Sequence, residues 1–520
     1  MTEATNPTKP FSKTDSGIAA LIFLLALALY TRTMAPSLLW GDSAEFQVLS
    51  YTLGMTHPSG YMTHIMVGKL FTLIPYGSIA WRVNFMSAFF GAWAVALIYL
   101  IVRAHGGRRA AAISGALLAA LMEGFWWRAL ISESYAIAAG FIASVWLLVL
   151  LWEQTKNTRY LFLAGLLGGL ALGIHSTIVM TGAGVLVFLI FKARTKSAWL
   201  GAAMGAILGL ALTLAAFLYV DYNDPPSSIY NTVYRPSLSL YGLAPNEFDS
   251  PFERLFAIFP ANHFWSYYFT APAETIIARL VEYFRFFHLW QFILVVIGSL
   301  TLFFQRRWAQ ALYAWTSFLL IWGLGVSVAF SIYREFYVPV TVIVGVWCGL
   351  GASAALNALE RLMEGWPSRA RSARFVLALA SLSLVIVPLW QSRADLSLAV
   401  RSGYTSFIQR DHIYPVFAPE KAIQEATKIL RRVDENAIVF SDWDKLYSLI
   451  YTALFDADRA DITFVEALTG ENLLLSETTL NYIDANIDAR PIYFTIELPQ
   501  LNELYRVEKV GDGLFRIMRK

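Results

Sequence analysis

Long apolar runs alternate with short polar, basic segments over most of the chain. A helix crossing the hydrocarbon core of a bilayer needs roughly 20 mostly apolar residues. Runs of that kind predict spanning helices at 17–34, 83–103, 110–127, 134–152, 159–175, 176–192, 198–220, 284–304, 308–330, 336–358 and 374–390. The run 62–76 is apolar but short, carries Lys69 and ends at Pro75, which predicts a helix lying in the interface. Gly173 and His175 interrupt the apolar stretch 159–192, and we divide it there into two spans.

Loop charges orient these helices. With the N-terminus inside, the inner segments collect Lys9, Lys13, Arg103, Arg108, Arg109, Lys156, Arg159, Lys192, Arg194, Lys196, Arg306, Arg307, Arg361, Arg369, Arg371 and Arg374. The short outer segments hold Lys69, Arg82, Arg128 and Arg334, with Arg32 near a helix end. That asymmetry is the positive-inside pattern, and an odd number of spans places the C-terminal region outside. Reading 159–192 as one span would put Arg306, Arg307 and the 361–374 cluster outside, so the divided reading is preferred.

The expected architecture is an all-α polytopic membrane domain of about 11 transmembrane helices with a small extramembrane α/β domain. Residues 1–16 form a cytoplasmic tail, 17–390 the membrane domain with outer loops 35–82 and 221–279, and 391–520 the outer domain. In the last segment, helix-like stretches (419–432, 443–455) alternate with β-like runs at 437–440, 462–465, 492–495 and 514–518.

Composition agrees. The chain is 57% hydrophobic and 15% charged, against about 25% charged residues in a soluble domain. Its net charge of +3 is spread by topology rather than gathered in a patch, which predicts no nucleic-acid partner. The single cysteine, Cys348, has no partner for an internal disulfide. The first apolar run has no clear small-residue cleavage site after it and reads as a retained helix. Together these features predict an integral, multi-pass membrane protein, with a bacterial-type plasma membrane as its expected home.

The candidate chemistry begins just past the first apolar run, at Trp40-Gly41-Asp42-Ser43-Ala44-Glu45. Carboxylates beside a lipid-embedded segment are costly and mark a functional site by default. If residues 42–53 form a helix, a spacing of three puts both on one face. Asp42 can alternatively cap that helix. A carboxylate partly shielded from water has a raised pKa and suits a general base. Two carboxylates alone are a weak signal for a divalent metal, and no cofactor is otherwise indicated.

Next comes His57-Pro58-Ser59-Gly60, a tight turn in which His57 can bond a substrate or orient a carboxylate. Trp81-Arg82-Val83-Asn84 enters the second span, with Arg82 able to anchor to headgroups or to pair with Asp42 or Glu45. Glu133-Ser134-Tyr135 opens the fourth span, and His175 lies at another outer turn. Tyr333-Arg334-Glu335-Phe336-Tyr337 sits at the mouth of the tenth span. There Arg334 can grip an anionic lipid phosphate or pair with its neighbour Glu335. All these groups are expected on the outer side. No Gly-rich nucleotide loop, His-Glu-x-x-His or Gly-x-Ser-x-Gly is present, so a nucleotide-sugar site is not supported.

The layout resembles the GT-C superfamily of integral-membrane glycosyltransferases. Trp40–Glu45, Tyr51-Thr52-Leu53-Gly54, His57–Gly60, Gly68-Lys69-Leu70-Phe71 and Trp81–Asn84 look like the opening of a family whose eukaryotic relatives are protein O-mannosyltransferases. The match is dense over about residues 36–90, and Ser59 and Met62 depart from the prolines expected there. The resemblance implies transfer of a sugar, with mannose the candidate, from a polyprenyl-phosphate carrier to a protein or glycan hydroxyl, with inversion. It gives Asp42 the role of base, with Glu45 in support. It gives Arg334, with Arg82, the charge on the leaving lipid phosphate, while His57, Asn84, Glu133, Tyr135, His175 and Tyr337 are candidate substrate or lipid-phosphate contacts by their expected place on the outer side.

Two other classes compete. A transporter or flippase of lipid-linked glycans would place polar groups at the bilayer midplane in repeated halves, whereas these crowd the outer mouth and no repeat is visible. A non-catalytic scaffold binding through the outer tail has no ligand motif to support it.

Overall fold

The computed structural model describes residues 11–175, 178–259, 266–329, 333–364, 370–403, 418–470, 473–511 and 513–520. Residues 1–10 of the expected N-terminal tail lie outside them. The helices run α1 Lys13–Thr33, α2 Gly41–Thr52, α3 Met62–Thr72, α4 Ile79–Ala104, α5 Arg109–Leu121, α6 Glu123–Arg128, α7 Ser134–Thr155, α8 Thr158–Ala171, α9 Ile178–Lys192 and α10 Lys196–Asn223. They continue as α11 Pro251–Ile258, α12 Ala273–Arg285, α13 Leu289–Phe304, α14 Trp308–Ser327, α15 Tyr337–Glu364, α16 Ala370–Gln391, α17 Arg393–Ser402, α18 Lys421–Leu430, α19 Trp443–Phe455, α20 Glu477–Asn486 and α21 Pro499–Leu504. The strands are β1 Ile438–Ser441, β2 Thr463–Glu466, β3 Ile492–Phe494, β4 Arg506–Gly511 and β5 Leu514–Met518.

The chain folds into two compact units, each assembled from three stretches. One comprises Met1–Met34, Ser87–Thr213 and His263–Ile408; the other comprises Ala35–Met86, Leu214–Asn262 and Gln409–Lys520.

The first unit holds most of the apolar helices. Among the described residues, α1, α4, α7, α10, α14, α15 and α16 are long and apolar enough to cross a membrane. The α12–α13 pair makes an eighth if counted as one span, although it bends by 105° at its break. α5, α8 and α9 are apolar but shorter. The protein is an integral, multi-pass membrane protein. Two predicted runs are interrupted. The run 110–127 breaks at Met122, whose extended backbone (ψ 122°) ends α5 and starts α6. The run 284–304 starts only at Leu289, because the Gln291 side chain accepts the His288 N–H at 3.0 Å and caps a new helix there.

Small residues set the packing here, as expected where burial from water cannot drive helix association. A Cβ on Gly298 of α13 would lie 1.7 Å from the Trp347 carbonyl of α15, and one on Gly351 would lie 1.9 Å from the Leu294 carbonyl. Gly115 of α5 meets Gly345 and Gly349 of α15, while Gly165 and Gly169 of α8 face Gly205 and Gly209 of α10 through close backbone contacts. At one end of the unit, buried Asp15 of α1 accepts from Arg103 Nε and Arg109 Nε at 2.9 Å each and from Tyr99 Oη at 3.0 Å. This ties α1, α4 and α5 together.

The second unit is built on a five-stranded sheet of order β2-β1-β3-β5-β4. β2, β1 and β3 are parallel, and β5 runs antiparallel to both β3 and β4. β1 and β3 are wholly buried, as in central strands. α18 turns Ala422, Ala426 and Leu430 inward at helical spacing. One core gathers Phe46, Val48 and Leu49 of α2 with Leu446, Leu449 and Ile450 of α19. Another gathers Met55 and Met62 with Phe217, Tyr230, Tyr234 and Phe248.

The glycine contacts in the membrane unit make a direct prediction. Gly298→Ala should destabilise the detergent-extracted protein by about 1–3 kcal/mol, because the two backbones must separate. Gly168→Ala, where a new Cβ meets nothing within 4 Å, should be neutral or slightly stabilising. Equal thermal unfolding of the two variants would contradict this account.

Candidate active site

α2 carries both carboxylates that the spacing singles out. Its N-cap residue, Trp40, makes no side-chain cap bond, and Gly41 enters at φ +57°, a left-handed conformation in which a Cβ would be strained. Asp42 therefore lies inside the first turn, where the helix dipole favours negative charge. The alternative of Asp42 as the cap does not hold. Its Oδ1 instead accepts from Trp443 Nε1 at 2.7 Å.

Glu45, on the same face, has no exposed surface. Its Oε1 accepts the His57 backbone N–H at 2.7 Å, and its Oε2 lies 2.5 Å from His57 Nδ1. The other ring nitrogen, Nε2, is 3.9 Å from Asp42 Oδ2. One imidazole thus lies between the two carboxylates. Burial pushes the Glu45 carboxyl above its ordinary range; the His57 ring and N–H draw it back, and the charge on Asp42 adds to the rise. The Asp42 side chain is 39% exposed, so of the two carboxylates it is the one open to an incoming group.

The surroundings hold this arrangement. The Gly60 N–H donates to the His57 carbonyl at 2.8 Å, closing the turn. The His57 ring packs against Tyr61 and Phe46, with Trp443 edge-on at 5.8 Å. Gln47 Nε2 donates to Asn84 Oδ1 at 2.9 Å, and Asn84 Nδ2 donates to the carbonyls of Ala35 and Ser37. Asn84 is fully buried and fastens the approach to α2 rather than facing an open cavity. Arg82 donates to the carbonyls of Thr72, Tyr76 and Gly77, closing the end of α3. The expected pairing of Arg82 with Asp42 or Glu45 is therefore replaced by loop closure. His64 is fully buried against Phe46, and burial together with the His57 charge lowers its pKa to about 3, so it stays neutral.

The remaining predicted residues belong to the other unit. Arg128 pairs with Glu335 and stands 3.8 Å from Glu133. Tyr135 and His175 pack ring to ring at 5.0 Å, both against Phe336. Arg334 pairs with Glu282, and Tyr337 packs on Tyr283. The neighbour pair Arg334–Glu335 is replaced by these separate partners. Among the described residues, no group of three or more His, Cys, Asp or Glu side chains is arranged to hold a metal ion.

Three residues escaped the sequence reading. Arg128 counted only as a loop charge, although it gathers two glutamates. Trp443 was visible as the start of a helix, but its partner is 401 residues away. Glu466 follows the β-like run 462–465 and was not singled out. At the end of β2, burial and the charges of Glu45 and Asp442 raise its pKa to about 7.

The fold is shared, over nearly the whole chain, with two solved structures. ArnT from Cupriavidus metallidurans, bound to undecaprenyl phosphate, superposes with a TM-score of 0.53 at 13% identity, covering 96% of this chain and 98% of that one. The oligosaccharyltransferase AglB from Archaeoglobus fulgidus, in complex with an inhibitory peptide and a dolichol-phosphate, gives 0.55 at 12% identity, covering 98% of this chain and 75% of that one.

In sequence, residues 42–199 match the family model for the protein O-mannosyl-transferase TMEM260 N-terminal domain. The Mus musculus protein O-mannosyl-transferase TMEM260 is 26% identical over 209 residues, 39% of this chain and 30% of that protein. The Dictyostelium discoideum protein O-mannosyl-transferase tmem260 is 27% identical over 158 residues, 29% of this chain and 19% of that protein. The match thus spans less than a third of either relative. The comparisons thus give a likeness to TMEM260 proteins over the N-terminal part and a shared fold over nearly the whole chain.

Glu466 yields a pH prediction. An unfolded glutamate titrates near its ordinary value of 4.5, so between that pH and about 7 the native state holds a proton that the unfolded chain has lost. Stability from this group is therefore present at low pH and is lost as pH rises through about 7. Glu466→Gln should be stabilising at pH 8, by about 1–2 kcal/mol after solvent screening, and near neutral at pH 4. Unfolding curves at the two pH values check this, and a difference independent of pH would contradict it.

Proposed function

We propose that the protein transfers a sugar, with mannose the candidate, from a polyprenyl-phosphate carrier to a hydroxyl of a protein or glycan on the outer face of the membrane. The observation that carries this reading is Asp42, partly exposed on the first turn of α2, opposite a His57 ring that is gripped by buried Glu45. The TMEM260 relatives over the N-terminal part and the GT-C fold support it. So do structural neighbours captured with undecaprenyl phosphate and with a dolichol-phosphate.

In the proposed step the acceptor oxygen attacks the anomeric carbon while the bond from that carbon to the phosphate oxygen breaks. The acceptor proton passes to Asp42, the lipid phosphate leaves with its charge, and the anomeric centre inverts. Asp42 is the general base. Glu45, without exposed surface, cannot meet the acceptor; it sets the His57 ring so that Nε2 faces Asp42. Arg334, with 65% of its side chain exposed, carries over as the proposed contact for the anionic lipid phosphate. The outer face follows from the positive-inside pattern, with a cytoplasmic N-terminus and the C-terminal segment outside.

The test is transfer in membranes supplied with polyprenyl-phosphate mannose. Asp42→Asn should lower the rate about 10²–10⁴-fold, the usual worth of a general base. Glu45→Gln should lower it less, through disorder of His57. Full transfer by both single variants would refute the assignment, and movement of label across vesicles without covalent transfer would indicate a transporter.

A further inference from the structure

We propose that Trp443 is a positioning residue of this site, holding Asp42 in the orientation its chemistry needs. The inference rests on the reading of Asp42 as the base and adds the reason that carboxylate is aimed. Asp42 has a short stem and lies just inside a helix end that has no side-chain cap. Of its two oxygens, Oδ1 takes the indole N–H at 2.7 Å, and Oδ2 is the one turned towards His57. An indole N–H can donate but never accept. It fixes the carboxylate without competing for the proton that Asp42 is to receive. A lysine there would set a full positive charge against the same carboxylate and oppose its protonation.

Trp443 is itself anchored. Asp442 caps α19 by accepting the Lys445 N–H at 3.1 Å, and its other oxygen takes Lys445 Nζ at 2.8 Å. The indole packs edge-on against Tyr447 at 5.5 Å and against His57 at 5.8 Å. α19 then packs along α2 through Leu446, Leu449 and Ile450. The strand-to-helix junction after β1 therefore supplies part of the site. The C-terminal α/β segment becomes a component of the catalytic centre rather than an accessory.

The experiment compares full-length variants in membranes with polyprenyl-phosphate mannose as the probe. Trp443→Phe keeps the ring packing and removes the donor. It should lower the saturated rate about tenfold or more, as expected for a misaimed group, with the KM for the donor and the unfolding temperature unchanged. A benzothienylalanine at position 443, an indole-shaped ring without the N–H, should reproduce that loss if the phenylalanine variant fails to fold. Trp443→His, which retains a ring N–H, should recover part of the rate. In an Asp42→Asn background, Trp443→Phe should cost nothing further.

A wild-type rate in both donor-free variants would overturn the proposal. So would a loss of equal size in the Asp42→Asn background, or one accompanied by a matching fall in unfolding temperature. The Asp42→Asn arm separates the two ideas: full activity there removes the base assignment itself, whatever Trp443 does.

Discussion

A carboxylate with no exposed surface is tolerable only if its lone pairs are met. Glu45 meets that condition with two bonds to one residue, the backbone N–H and the ring of His57. The constraint runs outward from there. Between α2 and His57 the chain leaves the helix through Leu53, in the left-handed conformation at φ +57°; Gln47 and Asn84 bind the segment 35–39 and keep α2 in place. The position of the His57 ring, and hence which face of Asp42 it meets, follows from this one bond.

The two acids of the pair consequently differ in kind. Spacing made them equivalent, but burial separates them. Glu45 is enclosed and bonded, whereas Asp42 is partly open, with one oxygen tethered and the other directed at His57. Around them the environment is acidic and aromatic. Glu466 and Asp442 lie within electrostatic reach of one another, and Glu45 within that of Glu466. The rings of Phe46, Tyr61 and Trp443 enclose the imidazole. The membrane unit holds another knot, Arg128 with Glu133 and Glu335, in which a half-buried cation is met by two acids.

Most of the fold was legible from pattern. All eleven apolar runs contain a helix, because an apolar series favours burial of the whole segment, although among the described residues seven helices, or eight with the bent α12–α13 pair, are long and apolar enough to cross a membrane. The interruptions at Met122 and His288 were not legible: each is a local backbone choice inside a run whose hydropathy does not change. In the C-terminal segment the buried strands β1 and β3 and the partly buried β2 and β5 fall on apolar runs. β4, Arg506–Gly511, was missed because it is a largely exposed strand of polar sequence, held by pairing with β5 rather than by burial.

The sequence by itself determined the membrane character, the α/β nature of the C-terminal segment and the helix that bears Asp42 and Glu45 on one face, since all three depend on local periodicity. It also marked His57 as a partner. Only the tertiary structure decided what each residue does with its atoms. Glu45 turned inward to His57, Arg82 was drawn to three carbonyls, Asn84 became a buried fastening, and Trp443 met Asp42 across 401 residues. Hydrogen bonds at that separation depend on how distant segments pack, and no local pattern encodes the packing.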